Sequence, residues 1–207
     1  MTAAEYTNEP ARVLLADPAW LFGDKLPGQG RGASKHYGCL TVGELECFEL
    51  PPLANDCLLM LWRVAAMQPE AFRVAKAWGF TIKAEGVWRK LTKNGKEHFG
   101  MGRYVRMSHE TYLIGVRESN KPKIAHRAIR STFEAPGVAD VVDLDFEAPT
   151  GAHSVKPDRI YEIAEALIPG GPYVELFARR RRAGWIQYGD ELEPESSTHA
   201  VGTTTRH

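Results

Sequence analysis

Short runs of consecutive apolar residues alternate along this chain with stretches of helical periodicity. Val13-Leu14-Leu15-Ala16 predicts a short buried strand, and Cys57-Leu58-Leu59-Met60-Leu61-Trp62 predicts a strand covered on both faces. Gln68 to Trp78 places Ala71, Val74, Ala75 and Trp78 at helical spacing, with Gly79 as the stop. Phe80–Trp88 and Glu110–Val116 read as further strands. Thr41–Leu50 resembles a short helix stopped by Pro51-Pro52. A late helix starts at Pro157-Asp158, runs to about Leu167 and ends before Pro169-Gly170-Gly171. Tyr173-Val174-Glu175-Leu176-Phe177 is the last strong strand. Strands alternating with helices predict one α/β domain, a mainly parallel sheet with helices on both faces.

Two segments break the pattern. Gly23 to Tyr37 carries four Gly, one Pro and several basic residues, and loops of that length are usually functional. Lys90 to Met107 is a second Gly-rich, basic loop. Residues 1–10 and 193–207 are polar and expected to be disordered, leaving a single domain over 11–192. With 207 residues, of which 43% are hydrophobic and 25% charged, the chain can bury a substantial core.

No apolar run reaches the roughly 18 residues of a membrane span, and the first residues lack the pattern of a secretory leader. Cys39, Cys47 and Cys57 form no CxxC pair, which points to reduced thiols in the cytoplasm and to no metal site. The formal net charge is zero, but it is unevenly laid out. Lys76 to Arg130 holds thirteen basic residues against four acidic ones, and Phe133 to Glu195 six against thirteen. That asymmetry predicts a basic face for phosphates.

The chemistry is concentrated first at Asp17-Pro18-Ala19-Trp20, directly after the first strand. An acid, a fixed carbonyl and a large ring within four residues suit the holding of a flat base that bears an amine. Asp17 and the Pro18 carbonyl would accept the amine hydrogens, and Trp20 would stack on the ring. The plainer reading is an Asp-Pro turn beside a core Trp. Gly28-Gln29-Gly30-Arg31-Gly32 has neither the spacing of a dinucleotide fingerprint nor the ending of a P-loop. A second group of residues lies late in the chain: His153-Ser154-Val155-Lys156-Pro157 before the last helix, and Glu175-Leu176-Phe177-Ala178-Arg179 at the end of the last strand. Ligands of open α/β sheets bind outside the carboxyl ends of strands, where Glu175 could accept from ribose hydroxyls and Lys156 and Arg179 could pair with a carboxylate or phosphate. An ordinary Glu175–Lys156 ion pair and a solvated basic cluster would explain the same residues.

Taken together and in this order, these motifs resemble the MT-A70 family of adenine-N6 methyltransferases. The resemblance covers roughly residues 12–191 and includes Leu61-Trp62-Arg63, Trp78-Gly79-Phe80, the stretch Gly100–Glu110, and Gly184-Trp185 to Gly189. It implies a Rossmann-like domain, S-adenosylmethionine as cofactor, and a catalytic motif that precedes the cofactor motif. It assigns Asp17 and Pro18 to the adenine amine and Trp20 to the base pocket. It assigns Lys156 to the methionine carboxylate, Glu175 and Arg179 to the ribose, Asp190 and Glu191 to the adenosine end, and Asp17 also to the cofactor's amino group. The family pattern is usually DPPW, and here Ala19 replaces the second Pro, which removes a restriction on the backbone of Pro18. The family often has Asn at position 190 and a less basic stretch than Arg179–Arg182, so the adenosine end is where this sequence departs from the family pattern.

The expected substrate is adenine in nucleic acid, with DNA favoured over RNA by family analogy, clamped by Lys25, Arg31, Lys35, Lys93, Lys96, Arg103 and Arg106 on the two basic loops. With no separate recognition domain visible, the sequence is expected to be read either as a short or loose motif through the loops or with the help of a specificity subunit or a second copy. Two other readings stand beside this one: an N-methyltransferase of a protein or small molecule, and a nucleic-acid-binding scaffold without catalysis.

Overall fold

The computed structural model describes residues 6–21, 38–100, 104–118, 120–125, 143–150 and 155–192. Among the described residues, seven strands form one sheet in the order β5-β3-β4-β2-β1-β6-β7. They are β1 (Ala11–Ala16), β2 (Leu53–Arg63), β3 (Thr81–Leu91), β4 (His109–Val116), β5 (Phe146–Pro149), β6 (Tyr173–Leu176) and β7 (Trp185–Tyr188). The described helices are α1 (Val42–Glu46), α2 (Gln68–Ala77), preceded by a 3₁₀ turn at Ala65–Met67, and α3 (Arg159–Leu167). β1 pairs parallel with both β2 and β6, and the β3–β5 and β6–β7 pairs are also parallel. β4 runs antiparallel to β2 and to β3, the departure from a uniformly parallel sheet.

The apolar runs explain the layering. Alternate residues of β1 and β2 point to opposite faces. Leu14, Leu59 and Leu61 pack with Leu45 of α1 and with Ala71, Val74 and Ala75 of α2. Val13, Leu15, Leu58, Met60 and Trp62 pack on the other face with Ile160, Ile163, Ala164 and Leu167 of α3. The expected cover of helices on both faces is therefore present. A capping box starts α1, where Thr41 Oγ1 accepts from the Glu44 N–H and Glu44 accepts from the Thr41 N–H. Trp78 Nε1 donates to the Leu45 carbonyl at 2.7 Å and ties the end of α2 to α1.

Several boundaries differ from the sequence reading. β2 starts at Leu53 and β3 runs on to Leu91, so the second loop is shorter than expected. Its two limbs are tied to each other: Ser108 Oγ donates to Glu97, the Lys90 N–H to the Ser108 carbonyl, and the His98 N–H to the Lys90 carbonyl. The short strands β5 and β7 were not anticipated as strands. Gly189 closes β7 where a Cβ would run into the Ala178 carbonyl, which accounts for a glycine there. Disorder was expected over 1–10, yet Tyr6 and Thr7 are held in place. Tyr6 OH donates to the Glu49 carbonyl at 2.8 Å, its ring meets Tyr188 edge-on at 4.8 Å, and the Thr7 N–H donates to Tyr188 OH. Among the described residues, no helix is long and apolar enough to cross a membrane.

Candidate active site

The strand order reverses at β1, with β2 on one side and β6 on the other. Such a switch point opens a crevice at the carboxyl ends of the strands. Asp17 and Pro18 follow β1 directly at that point. They line a cavity of about 520 Å³ together with Ala19, Trp20, Trp62, Arg63, Gln68, Lys90, His109, Glu110, Lys156 and Arg179. β2 and β3 end on the same side, and β4, being antiparallel, begins there. That direction alone is what places His109, Glu110 and Thr111 in the crevice.

The corner after β1 is rigidly built. The Trp20 N–H donates to the Pro18 carbonyl at 2.9 Å, a tight turn that uses one of the two acceptor sites of that oxygen. The Leu40 N–H donates to the Ala19 carbonyl and the Leu21 N–H to the Leu40 carbonyl, closing the base of the first loop. Trp20 is only 4% exposed and packs in the core. Its Nε1 donates to the Trp62 carbonyl at 3.1 Å. It is therefore a wall of the cavity joined to β2, with little ring surface bare in this state.

Four charged side chains alternate across the floor. Lys156 Nζ lies 2.7 Å from Asp17 Oδ2 and 3.4 Å from Glu110 Oε2, and Lys90 Nζ lies 2.5 Å from Glu110 Oε1. Burial disfavours the Lys156 ammonium, but the Asp17 and Glu110 carboxylates outweigh this and hold its pKa above the ordinary lysine value. Burial likewise pushes the Glu110 carboxyl up, and Lys156 and Lys90 together hold it below the usual range. Each ammonium also sits over an aromatic ring, Lys156 over Trp62 and Lys90 over Trp88, at 5.2 Å in both cases.

Glu175 lies behind Lys156, on β6. Both of its oxygens accept from Tyr161 OH, at 3.0 and 3.2 Å, and Oε2 also accepts from Gln187 Nε2 at 2.5 Å. Burial raises its carboxyl to about 7, against the lowering effect of these two donors. The space beside it, bounded also by Asp17, Lys156, Phe177 and Arg179, is about 10 Å³, roughly one water. Phe177 turns the chain at φ 63°, a left-handed conformation that costs a non-glycine residue about 1–2 kcal/mol. The turn lets Arg179 reach the cavity, and the Phe177 ring rests on Phe48 at 5.0 Å.

The structure thus brings together Asp17, Pro18, Trp20, Lys156 and Arg179 around one cavity, with Glu175 beneath it. Asp190 and Glu191 follow β7 on the exposed surface and do not line the cavity; Glu191 Oε1 is 4.0 Å from Arg179 Nε. Lys93, Lys96 and Arg106 are exposed on the second loop, whereas Lys25, Arg31, Lys35 and Arg103, like His153 and Ser154, lie outside the described residues. The basic run Arg179–Arg182 proves largely structural. Arg180 donates to the Lys156 carbonyl at 2.9 Å and pairs with Asp158, and Arg182 pairs with Glu165 of α3. The sequence reading missed Glu110, Lys90 and Arg180. For Glu110, the signal was an acid at the very start of a predicted strand.

A Rossmann-like α/β domain with a charged, ligand-sized cavity outside its strand ends is the class these features define. The family model for MT-A70 matches residues 11–191, and the chain belongs to that family. It is 27% identical over 184 residues to the mouse N(6)-adenine-specific methyltransferase METTL4, covering 87% of this chain and 37% of that protein. It is 27% identical over 199 residues to the type II methyltransferase M.MunI of Mycoplasma sp, covering 87% of this chain and 77% of that one. Over 190 residues it is 26% identical to the human N(6)-adenosine-methyltransferase catalytic subunit METTL3, covering 87% of this chain and 28% of METTL3. The chain therefore spans little more than a third of METTL4 and less than a third of METTL3.

Proposed function

We propose that this chain transfers a methyl group from S-adenosylmethionine to the N6 amine of adenine in nucleic acid, and that the polymer is DNA. The observation that carries the reading is the placement of Asp17 and Pro18 at the switch point, in a cavity also lined by Lys156, which touches Asp17, and by Arg179. The residues present suit the cofactor. A cavity of about 520 Å³ lies within the usual range for small-molecule sites, roughly 300–1,000 Å³. The carboxylate of Asp17 beside the ammonium of Lys156 complements an amino-acid end carrying both charges. Two lining residues also hold buried donors without a protein partner, Trp62 Nε1 and Arg63 Nε. Lys156 would hold the carboxylate and Glu175 and Arg179 the ribose, with Asp190 and Glu191, both outside the cavity and the second of them next to Arg179, toward the adenosine end. Bound there, the cofactor supplies an electrophilic methyl group.

The chain's own contribution is positional and electrostatic. An exocyclic amine is a poor nucleophile because its lone pair is delocalised into the ring. Asp17 accepts a hydrogen bond from one amine hydrogen and the second acceptor site of the Pro18 carbonyl from the other, both hydrogens staying on the nitrogen, which becomes more pyramidal and a better nucleophile. Trp20 and Trp62 wall the base, and their shared hydrogen bond keeps the two walls in register. Holding reactants in one orientation can itself lower a barrier by about 7–11 kcal/mol. If the target is a duplex, the adenine must leave its stack at a cost of a few kcal/mol, and the basic residues of the second loop supply phosphate contacts.

DNA is chosen because the chain fills 77% of the length of M.MunI, a type II methyltransferase, against 37% of METTL4 and 28% of METTL3. The test is transfer of labelled methyl from S-adenosylmethionine to adenine-containing DNA and RNA in parallel, with Asp17→Ala as control. Label on N6 of DNA adenine, lost in Asp17→Ala, is the expected result. Label on RNA alone would overturn the polymer, and transfer undiminished in Asp17→Ala would overturn the site.

A further inference from the structure

Glu110 and Lys90 carry no role in the mechanism above, yet both line its cavity. Across the floor the charges run Asp17, Lys156, Glu110, Lys90, alternating in sign and summing to zero. None of the four side chains is more than 29% exposed. The row creates a problem for a simple ion pair. Asp17 must turn part of its carboxylate toward a neutral amine, and the cofactor's carboxylate arrives together with its own ammonium, so the buried Lys156 ammonium is left short of negative charge. A second carboxylate on the same ammonium removes that difficulty. Glu110 sits at 3.4 Å on the far side of Lys156, and it is itself fixed by Lys90, whose ammonium rests over the Trp88 ring. The backbone holds this geometry too: Glu110 is registered opposite Trp88 across the β3–β4 pair, and Arg180 clamps the Lys156 carbonyl.

We propose that Glu110, held by Lys90, is a positioning residue that keeps the Lys156 ammonium compensated and in place while Asp17 takes the substrate amine. The proposal rests on the functional reading above for the role of Asp17, but the sharing of Lys156 between two carboxylates can be tested without any activity.

The experiment is a double-mutant cycle by urea unfolding. Asp17→Asn, Glu110→Gln and the pair are measured in the natural chain and again with Lys156→Met. Asp17 and Glu110 communicate through Lys156, so each single variant removes one of its two described carboxylates and the pair removes both. The double variant should shift the unfolding constant roughly fivefold or more beyond the product of the singles, and the excess should vanish with Lys156→Met. Kinetics supply the second readout. Glu110→Gln should bind S-adenosylhomocysteine within about threefold of the natural chain while kcat falls about tenfold, and Glu110→Asp should recover part of that loss. Additive unfolding effects overturn the proposal, as does an unchanged kcat in a folded Glu110→Gln protein. Coupling found in a natural chain that transfers no methyl group would support the shared ammonium and overturn the functional reading instead.

Discussion

Replacing Glu175 with Gln should make the protein more stable at alkaline pH and remove a slope from its stability curve. Glu175 is 7% exposed, and burial lifts its carboxyl from the ordinary 4.5 to about 7. A group with a raised folded-state pKa binds its proton more tightly in the native chain than in the unfolded one. Stability is therefore fully present below about pH 4.5 and falls as pH rises through about 7. At 1.36 kcal/mol per pKa unit, the loss across that window is at most about 3 kcal/mol. An amide at 175 carries no charge and escapes this loss.

The hydrogen bonds around the site set how well the substitution fits. Gln187 is locked in one orientation, because its Oε1 accepts from the Arg182 N–H and its Nε2 donates to the Arg180 carbonyl and to Glu175. A Gln at 175 must therefore turn its oxygen toward Gln187 and its NH₂ toward Tyr161, whose hydroxyl can rotate to accept. That exchange costs about 1 kcal/mol. Urea unfolding of both proteins from pH 5 to 9 should then give curves that cross. Glu175→Gln is the less stable at pH 5 and the more stable by about 1–2 kcal/mol at pH 8. Curves that stay parallel over the whole range would refute the reasoning.

Three further outcomes follow from the packing and the charges. Gly86→Ala should cost about 1–3 kcal/mol by urea unfolding, because the added Cβ meets the Tyr112 ring, which its hydroxyl pins to the Leu144 carbonyl at 2.6 Å; a change near zero would show that the ring can move. Arg106→Ala combined with Lys93→Ala and Lys96→Ala should weaken DNA binding and flatten its log-log salt dependence by about 0.9 for each phosphate that is no longer neutralised. An unchanged slope in an anisotropy titration would place the phosphates elsewhere. Cys47 is exposed, whereas Cys57 is fully buried with its thiol pushed up to about 12, so a thiol reagent should label Cys47 in the native protein and Cys57 only after unfolding.

Much of the fold was legible because its core strands are continuous apolar runs. Val13–Ala16 and Cys57–Trp62 sit within β1 and β2, and the Ala71, Val74, Ala75 spacing predicted α2 nearly to the residue. The weaker elements were hidden for a physical reason. β5 and β7 have four residues each and carry a mixed pattern, and they exist because the edges of β3 and β6 offer them hydrogen bonds rather than because of local propensity. In the site, Asp17-Pro18 and Lys156 stand 139 positions apart but meet at 2.7 Å, and their motifs could be read separately. The run Arg179–Arg182 could not be resolved from sequence, since basic residues in a row also fit a solvated cluster. Two of them instead pair with acids at the start and along the outer side of α3, and both stack near Tyr161.

Strand direction decides what remained invisible. In a purely parallel sheet only the last residues of each strand reach the ligand edge, so an acid opening a strand would lie at the opposite end of the molecule. β4 is reversed, as its register with β2 shows: Arg63, at the end of β2, faces Thr111, near the start of β4. Reversal carries Glu110 to the same edge as Asp17. The length of β3 then matters as well, because extending it to Leu91 brings Lys90 opposite Ser108 and beside Glu110. Neither fact leaves a periodic trace, since β4 is as apolar as a parallel strand would be. The charge row of the site is thus a product of topology acting on residues that are ordinary in isolation. Its two outer members, Asp17 and Lys90, come from strands of opposite halves of the sheet, and the two inner ones join them.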